Sequence, residues 1–291
     1  MNRKDFLKKG FLGTGIFAAT AAFGNIIKNN IDEIKELEIL GFNHLPNTKS
    51  KIMENTILHK SNTRGLANHG WLESRHTFSF ASYHNPERMH FGVLRVLNDD
   101  RVNPGMGFGT HPHDNMEIIS IPLEGDLEHK DSMGNSTVIK NGDIQIMSAG
   151  TGIMHSEYNK NADKLVKFLQ IWVYPNKRNV TPRYDQITLN KEERVNKFQQ
   201  IVSPNPDDDG VWIHQYAWFN MGTFDKNIKT KYILNKKGNG VYVFVLKGNA
   251  TINNQVLEKR DGFGIWNIDD FEITSNTDQT EILLMEVPMT L

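Results

Sequence analysis

From residue 57 onward, short apolar runs are separated by Gly, Asn and Asp, and this pattern constrains the fold more than any other feature of the chain. The clearest runs are 91–96, 117–121, 168–173 and 241–246. Strands at this spacing are typical of β-sandwiches and barrels. No long segment between them has the period of an amphipathic helix. The sequence therefore predicts an all-β fold.

The same order of strands and turns occurs twice. A strand that ends at Gly125 corresponds to one that ends at Gly248, and a closing strand at 169–173 corresponds to 282–287. Prolines and a charged segment separate the two copies. We therefore expect two tandem β-barrels, which cover 57–184 and 185–291.

The composition limits the chemistry that these barrels can perform. The 291 residues include eleven His and no Cys, which excludes disulfides, cysteine–zinc sites and iron–sulfur clusters. The net charge is −1, and the absence of a long basic run argues against nucleic acid as the main partner. Any metal must therefore be bound by histidines and carboxylates. We also expect the protein to be a monomer.

One pair of motifs offers such ligands. His111 and His113 are two residues apart, and His155 and Glu157 repeat this spacing. Residues two apart on a strand point to the same face, so two neighbouring strands can bring three imidazoles and one carboxylate to one point. Such a set suits Fe(II), Mn, Co, Ni, Cu or Zn and leaves positions for water or substrate. The alternative is that these imidazoles face solvent or bond to the backbone.

Glu117 is a second candidate carboxylate. It follows His113 by four residues, so strand parity places it on the same face as the histidine pair. The spacing alone therefore does not distinguish Glu117 from Glu157 as the acidic ligand.

The residues around these motifs resemble the pirin family of two-barrel cupins, or bicupins. The resemblance covers 57–184 and includes SRHTFSF at 74–80, GFGTHPH at 107–113 and MSAGTGIMHSE at 147–157. The C-terminal part is similar to the second cupin of the family only loosely. The resemblance implies two jelly-roll barrels and one divalent metal ion per chain, most often iron. In this family the ligands correspond to His111, His113, His155 and Glu157, which leaves Glu117 a supporting or structural role.

The resemblance also implies a function. Similar bacterial pirins are quercetinases, which open a flavonol ring with both atoms of O₂ and release CO. The 3-hydroxyl of the substrate would coordinate the metal and give its proton to a carboxylate, for which Glu157 is the best candidate, before the flavonolate reacts with O₂. Two alternatives remain open. One is a non-enzymatic, metal- or redox-sensing regulator of a partner protein, and the other is a cupin isomerase with the same ligands.

The second copy lacks a comparable motif. Its only histidine is His214, and the position of the histidine pair is taken by Leu234, Asn235 and Lys236. We therefore expect the second barrel to hold no metal and to serve as a scaffold or as a wall of the pocket.

Other residues near the motifs have two interpretations. Asp99 and Asp100 would point apart on a strand, so a turn is the better prediction for them. Nearby histidines such as His129 are expected to form hydrogen bonds in the core or at the rim. Four phenylalanines fit either an aromatic pocket or the core, which is the commoner role in strands: they are Phe78, Phe80, Phe91 and Phe108.

The N-terminal residues form a separate kind of sequence. Residues 1–9 contain four basic side chains and one acid, and 10–27 are uncharged and rich in small residues, as in an export signal. The basic head resembles the twin-arginine export motif, with Lys4 in place of the second arginine. We expect export to the periplasm if this signal functions, a cytoplasmic protein otherwise, and no stable membrane span. Residues 28–56 are predicted to be a spacer.

Overall fold

The computed structural model describes residues 55–291. The segment 1–27 and nearly all of 28–56 lie outside this range, so the export signal and the spacer stay predictions. Within the described range, the structure contains no helix with the length and apolar character needed to cross a membrane.

The described residues form 22 strands and two short 3₁₀ helices, Ser61–Thr63 and Lys191–Arg194. The first eleven strands after β1 (Asn55–His59) are β2 (Gly65–Asn68), β3 (Leu72–His76), β4 (Leu94–Val102), β5 (Gly107–His113), β6 (Glu117–Glu124), β7 (Leu127–Asp131), β8 (Ser136–Ile139), β9 (Asp143–Ser148), β10 (Ile153–Asn159), β11 (Val166–Val173) and β12 (Arg183–Thr188). The remaining strands are β13 (Phe198–Ser203), β14 (Val211–Trp212), β15 (Trp218–Phe224), β16 (Lys229–Ile233), β17 (Asn239–Lys247), β18 (Ala250–Ile252), β19 (Gln255–Leu257), β20 (Gly262–Trp266), β21 (Asp270–Ser275) and β22 (Thr280–Pro288).

Each barrel is built from one seven-stranded and one four-stranded sheet. In the first barrel the strand orders are β12-β9-β6-β11-β4-β3-β2 and β5-β10-β7-β8. In the second barrel they are β1-β20-β17-β22-β15-β13-β14 and β16-β21-β18-β19. The predicted all-β fold with two tandem barrels is confirmed.

The largest apolar cluster lies between the two barrels. It combines side chains of the first large sheet, such as Ile119 and Leu169, with side chains of the second, such as Phe244 and Met285. The central strands are therefore buried on both faces, which explains why their sequences are continuous apolar runs rather than alternating ones.

The interiors of the two barrels differ in polarity. The second barrel is filled by one apolar cluster that includes Val243, Phe263 and Leu284. In the first barrel, two smaller apolar clusters form around Phe168 and around Met147. Buried polar side chains occupy other parts of this interior, and they form the site described below.

Two strands cross the limits expected for the first domain, residues 57–184. Strand β1 begins before residue 57 and pairs with β20 of the second barrel, with Asn55 opposite Trp266. Strand β12 pairs with β9 of the first barrel, so the expected limit between 184 and 185 falls inside this strand. The two barrels are thus joined by an exchanged N-terminal strand as well as by their shared core.

The turn predicted at Asp99 and Asp100 is wrong. Both residues lie within β4 and are buried, and Asp99 pairs with Leu169 of β11. The two carboxylates do point to opposite faces, as strand parity requires. Asp99 is accommodated inside the strand by ion pairs with Arg64 at 3.4 Å and with Arg260 at 3.1 Å.

Candidate metal centre

Strands β5 and β10 bring the three predicted histidines together. The strands are antiparallel neighbours, and His155 lies directly opposite His111. One ring nitrogen from each of His111, His113 and His155 lies within 4.8 Å of the other two. The ring centroids are 4.4 to 4.9 Å apart. Among the described residues, this is the one group of His, Asp and Glu side chains spaced to hold a metal ion.

Glu157 faces the same interior as His155 but is not part of this close group. The register between β5 and β10 shifts between His155 and Glu157, with the extra residue on β5, so that Glu157 pairs with Phe108. The two strands approach each other closely beside this shift, because a Cβ on Gly107 would lie 2.2 Å from the Glu157 carbonyl oxygen. Gly107 therefore permits the local geometry that positions the Glu157 carboxylate.

The histidine nitrogens have the chemistry that a metal ion requires. The Nδ1–H of His111 donates to the Gly109 carbonyl at 2.8 Å, which leaves its Nε2 lone pair free for a metal. His155 is 2% exposed, and neither of its ring nitrogens has a hydrogen-bond partner among the described residues. Unpartnered buried nitrogens are unfavourable unless a ligand or water satisfies them. The residues therefore fit a bound metal ion.

The pKa values of His113 and His155 leave both rings in the neutral form that binds a metal ion. Burial, with a smaller effect of the neighbouring imidazoles, lowers the pKa of His113 to about 4. Burial together with His111 and His129 lowers the pKa of His155 to about 3. Both rings are neutral near pH 7, and only neutral imidazole can donate a lone pair to a metal.

Two polar side chains hold the Glu157 carboxylate. Ser120 Oγ donates to Oε1 at 3.1 Å, and Gln170 Nε2 donates to Oε2 at 2.7 Å. Glu157 is 3% exposed, so these donors replace water around its carboxyl group. Its orientation is set by the strands β6 and β11 rather than by solvent.

Glu117 faces away from the histidines, contrary to the parity argument. Its Oε2 accepts a hydrogen bond from Ser148 Oγ at 2.7 Å, and its carboxylate also accepts one from the backbone N–H of His214 in the second half of the chain. The parity argument fails because the two residues lie on different strands. Strand β5 ends at His113, whereas Glu117 begins β6, which belongs to the other sheet. Glu117 is thus a residue of the interface between the barrels, where burial raises its pKa to about 7.

A cavity of about 370 Å³ adjoins the histidine cluster at His111. His111 and Glu157 line one side of it, and Phe80, Phe108 and Trp172 supply aromatic walls. This volume lies in the range of small-molecule sites, which combine apolar walls with a few placed polar groups. Phe80 and Phe108 therefore line the pocket, which is the first of the two roles considered for them. Phe78 and Phe91 belong instead to the core between the barrels.

Behind His155 lies His129, with ring centroids 5.3 Å apart. Its Nε2–H donates to Asp131 Oδ2 at 3.1 Å, and both side chains are fully buried. His129 thus forms a hydrogen bond in the core, as expected.

The corresponding place in the second barrel is organised around a carboxylate. The fully buried Glu286 accepts hydrogen bonds from the backbone N–H groups of Asn235 and Lys236 and from the Tyr232 hydroxyl. Asn235 and Lys236 are two of the residues expected in place of the histidine pair. They anchor a loop to Glu286.

Sequence reasoning missed the residues that hold Glu157 and pack against the histidines. Trp172 lies 4.9 Å from His113 in an edge-to-face contact. Ser120 and Gln170 interrupt the apolar runs of β6 and β11, and a single polar residue within such a run is the signal that could have identified them.

Known proteins share this architecture. The family model described as Pirin matches residues 59–173, and the model described as Quercetinase C-terminal cupin domain matches 200–287. A protein of Escherichia coli (strain K12) named quercetin 2,3-dioxygenase is 43% identical over 235 residues, which cover 79% of this chain and 98% of that protein. A pirin-like protein of Caulobacter vibrioides is 38% identical over 221 residues, which cover 76% and 94%.

Solved structures agree with these matches. The crystal structure of YhhW from Escherichia coli has a TM-score of 0.77 and 42% identity, covering 80% of this chain and 98% of that chain. A structure of bacterial pirin YhhW in complex with nickel(II) has a TM-score of 0.76 and 42% identity, covering 80% and 99%. With identity at this level over nearly the whole length of these relatives, the chain belongs to the pirin family.

Proposed function

We propose that this protein is a metal-dependent dioxygenase that opens the ring of a flavonol or a similar enolic substrate. The observation that carries the proposal is the placement of three clustered histidines and one hydrogen-bonded carboxylate beside an aromatic-walled cavity. The relative named quercetin 2,3-dioxygenase, with its high identity and coverage, supports the same activity for this chain.

The proposed ligands are His111, His113 and His155, with Glu157 as the fourth. The nickel(II) complex of the related pirin supports a divalent metal in this fold. We propose Fe(II) as the working metal, with Mn, Co, Ni, Cu and Zn to be compared. When bound, a divalent cation acts as a Lewis acid that favours ionisation of an enolic hydroxyl.

Glu157 performs the proton transfer in this proposal. Its carboxylate accepts the proton of the substrate 3-hydroxyl, while Ser120 and Gln170 keep it oriented towards the cavity. Phe80, Phe108 and Trp172 pack against the aromatic rings and exclude water. Overall, one flavonol and one O₂ give the ring-opened ester and one CO, so both oxygen atoms enter the product.

The test compares two buried glutamates. Glu157→Gln keeps the size of the side chain but removes the proton acceptor, so flavonol turnover should fall by about 10²-fold or more. Bound metal, measured by elemental analysis, should stay high because the three histidines remain. Glu117→Gln is the matched control, and it should retain turnover because this residue faces the second barrel.

Flavonol loss and CO release are measured after O₂ is admitted to protein loaded anaerobically with each metal. Full turnover in Glu157→Gln would remove this residue from the mechanism. No flavonol consumption by wild-type protein with any of the six metals would refute the proposed activity. His111→Ala should lose both metal and turnover.

A further inference from the structure

A second cavity, of about 440 Å³, lies between the two barrels and shares no lining residue with the cavity beside the histidines. Strands β3 and β4 separate the two cavities. Their alternate side chains face opposite ways, so Ser74 and Asp100 line the histidine cavity, whereas Arg75, Asp99 and Arg101 line the cleft between the barrels. We call this second cavity the interbarrel cleft.

The interbarrel cleft has an excess of positive charge. Among the described residues, eight cationic side chains and five carboxylates line it, although the whole chain has a net charge of −1. Most of the carboxylates already have partners. Asp99, for example, pairs with Arg64 at 3.4 Å and with Arg260 at 3.1 Å. Within the described residues, Arg194, Lys247 and Lys259 line the cleft without an ion pair inside 4.0 Å.

Arg194 is the unusual member of this group. It is 8% exposed, and its guanidinium forms no hydrogen bond or ion pair with any residue of the described range. Glu281 interacts electrostatically with the Arg194 guanidinium, but from beyond the 4.0 Å of an ion pair. The Nη1 of Arg260 is also buried and has no hydrogen-bond partner within residues 55–291. Buried charges are normally paired, so two guanidinium groups with unused donors at one cavity indicate a place for an anion.

The walls of the cleft limit which anion fits. Ile121, Leu189 and Met221 are buried apolar residues that line it together with the arginines. A guanidinium matches the planar geometry of a carboxylate and binds it through two parallel hydrogen bonds. The ligand should therefore combine a carboxylate with an apolar body.

We propose that the interbarrel cleft binds a small organic carboxylate. Its carboxylate contacts Arg194 and Arg260, and its apolar body packs on Ile121, Leu189 and Met221. This site is independent of the metal centre and of the proposed dioxygenase activity.

The test uses benzoate as the probe and isothermal titration of the full chain. Benzoate should bind saturably at one site per chain. Acetate lacks the apolar body and benzyl alcohol lacks the charge, so both should bind about 10-fold or more weakly. Arg194→Met should weaken benzoate binding by about 10-fold or more, because the charge-assisted hydrogen bonds are lost. Lys247→Met, which removes a charge from an exposed residue, should weaken it by less than about 3-fold.

The fold of the variant is checked separately. Arg194→Met replaces a charge that has no ion-pair partner in the described part of the chain with an apolar side chain, so its urea midpoint without ligand should equal or exceed that of wild type. Arg194→Lys keeps the charge and serves as a second variant, with binding intermediate between wild type and Arg194→Met.

Several results would overturn the proposal. These are no saturable benzoate binding, unchanged binding in both Arg194 variants, or inorganic phosphate binding more tightly than benzoate. Loss of benzoate binding in His111→Ala would place the ligand at the metal centre instead.

Discussion

Glu117 provides a quantitative test of the interface between the barrels. This carboxyl group is 1% exposed and accepts hydrogen bonds from Ser148 and from the backbone of His214. These donors favour the charged form, but the burial of the group outweighs them and raises its pKa from 4.5 to about 7. The native protein therefore keeps a proton on Glu117 at a pH at which the unfolded chain has released it.

The sign and size of the effect follow from this difference. Between pH 4.5 and about 7 the unfolded state binds fewer protons than the native state, so the stability contribution of Glu117 falls as the pH rises and is constant above this window. One pKa unit corresponds to about 1.4 kcal/mol, so the cost above pH 7 is about 3 kcal/mol. Glu117→Gln carries no titrating group and should remove this pH dependence.

The assay is urea unfolding of metal-free wild type and Glu117→Gln at pH 5 and pH 8. The free energy of unfolding of the variant relative to wild type should increase by about 2–3 kcal/mol between these two pH values. Glu258→Gln is the matched control, since the side chain of Glu258 is 69% exposed, and its difference should stay within about 0.5 kcal/mol. Equal pH dependence in wild type and Glu117→Gln would show that the interface does not hold the carboxyl group neutral.

Three further predictions test other parts of the structure. Gln170→Leu removes the 2.7 Å hydrogen bond to Glu157 and should lower kcat by about 10-fold with the metal content unchanged, whereas unchanged kcat would show that Glu157 needs no such support. Gly92 has a φ of +51°, and a Cβ there would lie 2.1 Å from the Pro288 carbonyl oxygen, so Gly92→Ala should lower the free energy of unfolding by about 2 kcal/mol or more. Gly134→Ala is its control, with a positive φ but open space around it, and it should lose less stability; equal losses would exclude the contact as the cause. Residues 1–27 should direct a fused reporter out of the cytoplasm, and replacing Arg3 and Lys4 with Gln should retain it; cell fractionation measures both, and a reporter retained in both cases would contradict the export prediction.

The sequence predicted those features that depend on local periodicity. Strand parity on β5 grouped His111 with His113, because both residues lie on one strand and their side chains reach the same close group. The repeat of strands and turns predicted two barrels, because each copy buries its own interior.

The errors arise where parity or pairing depends on distant parts of the chain. The chain moves from the small sheet to the large sheet between His113 and Glu117, so their faces are unrelated. Asp99 remains in a strand because it forms ion pairs with Arg64 and Arg260, and these residues are remote in sequence. Neither fact leaves a local signal.

The pairing of β1 with β20 determines when the second barrel can finish folding during synthesis. Asn55–His59 emerges from the ribosome about 200 residues before its partner Gly262–Trp266. At about 5–20 residues per second, this strand waits for roughly 10–40 s before it can pair. A fragment that begins after His59 leaves the edge of β20 uncovered, and open strand edges are prone to pair with other chains. Truncation at the apparent start of the first barrel would therefore promote aggregation through the second barrel.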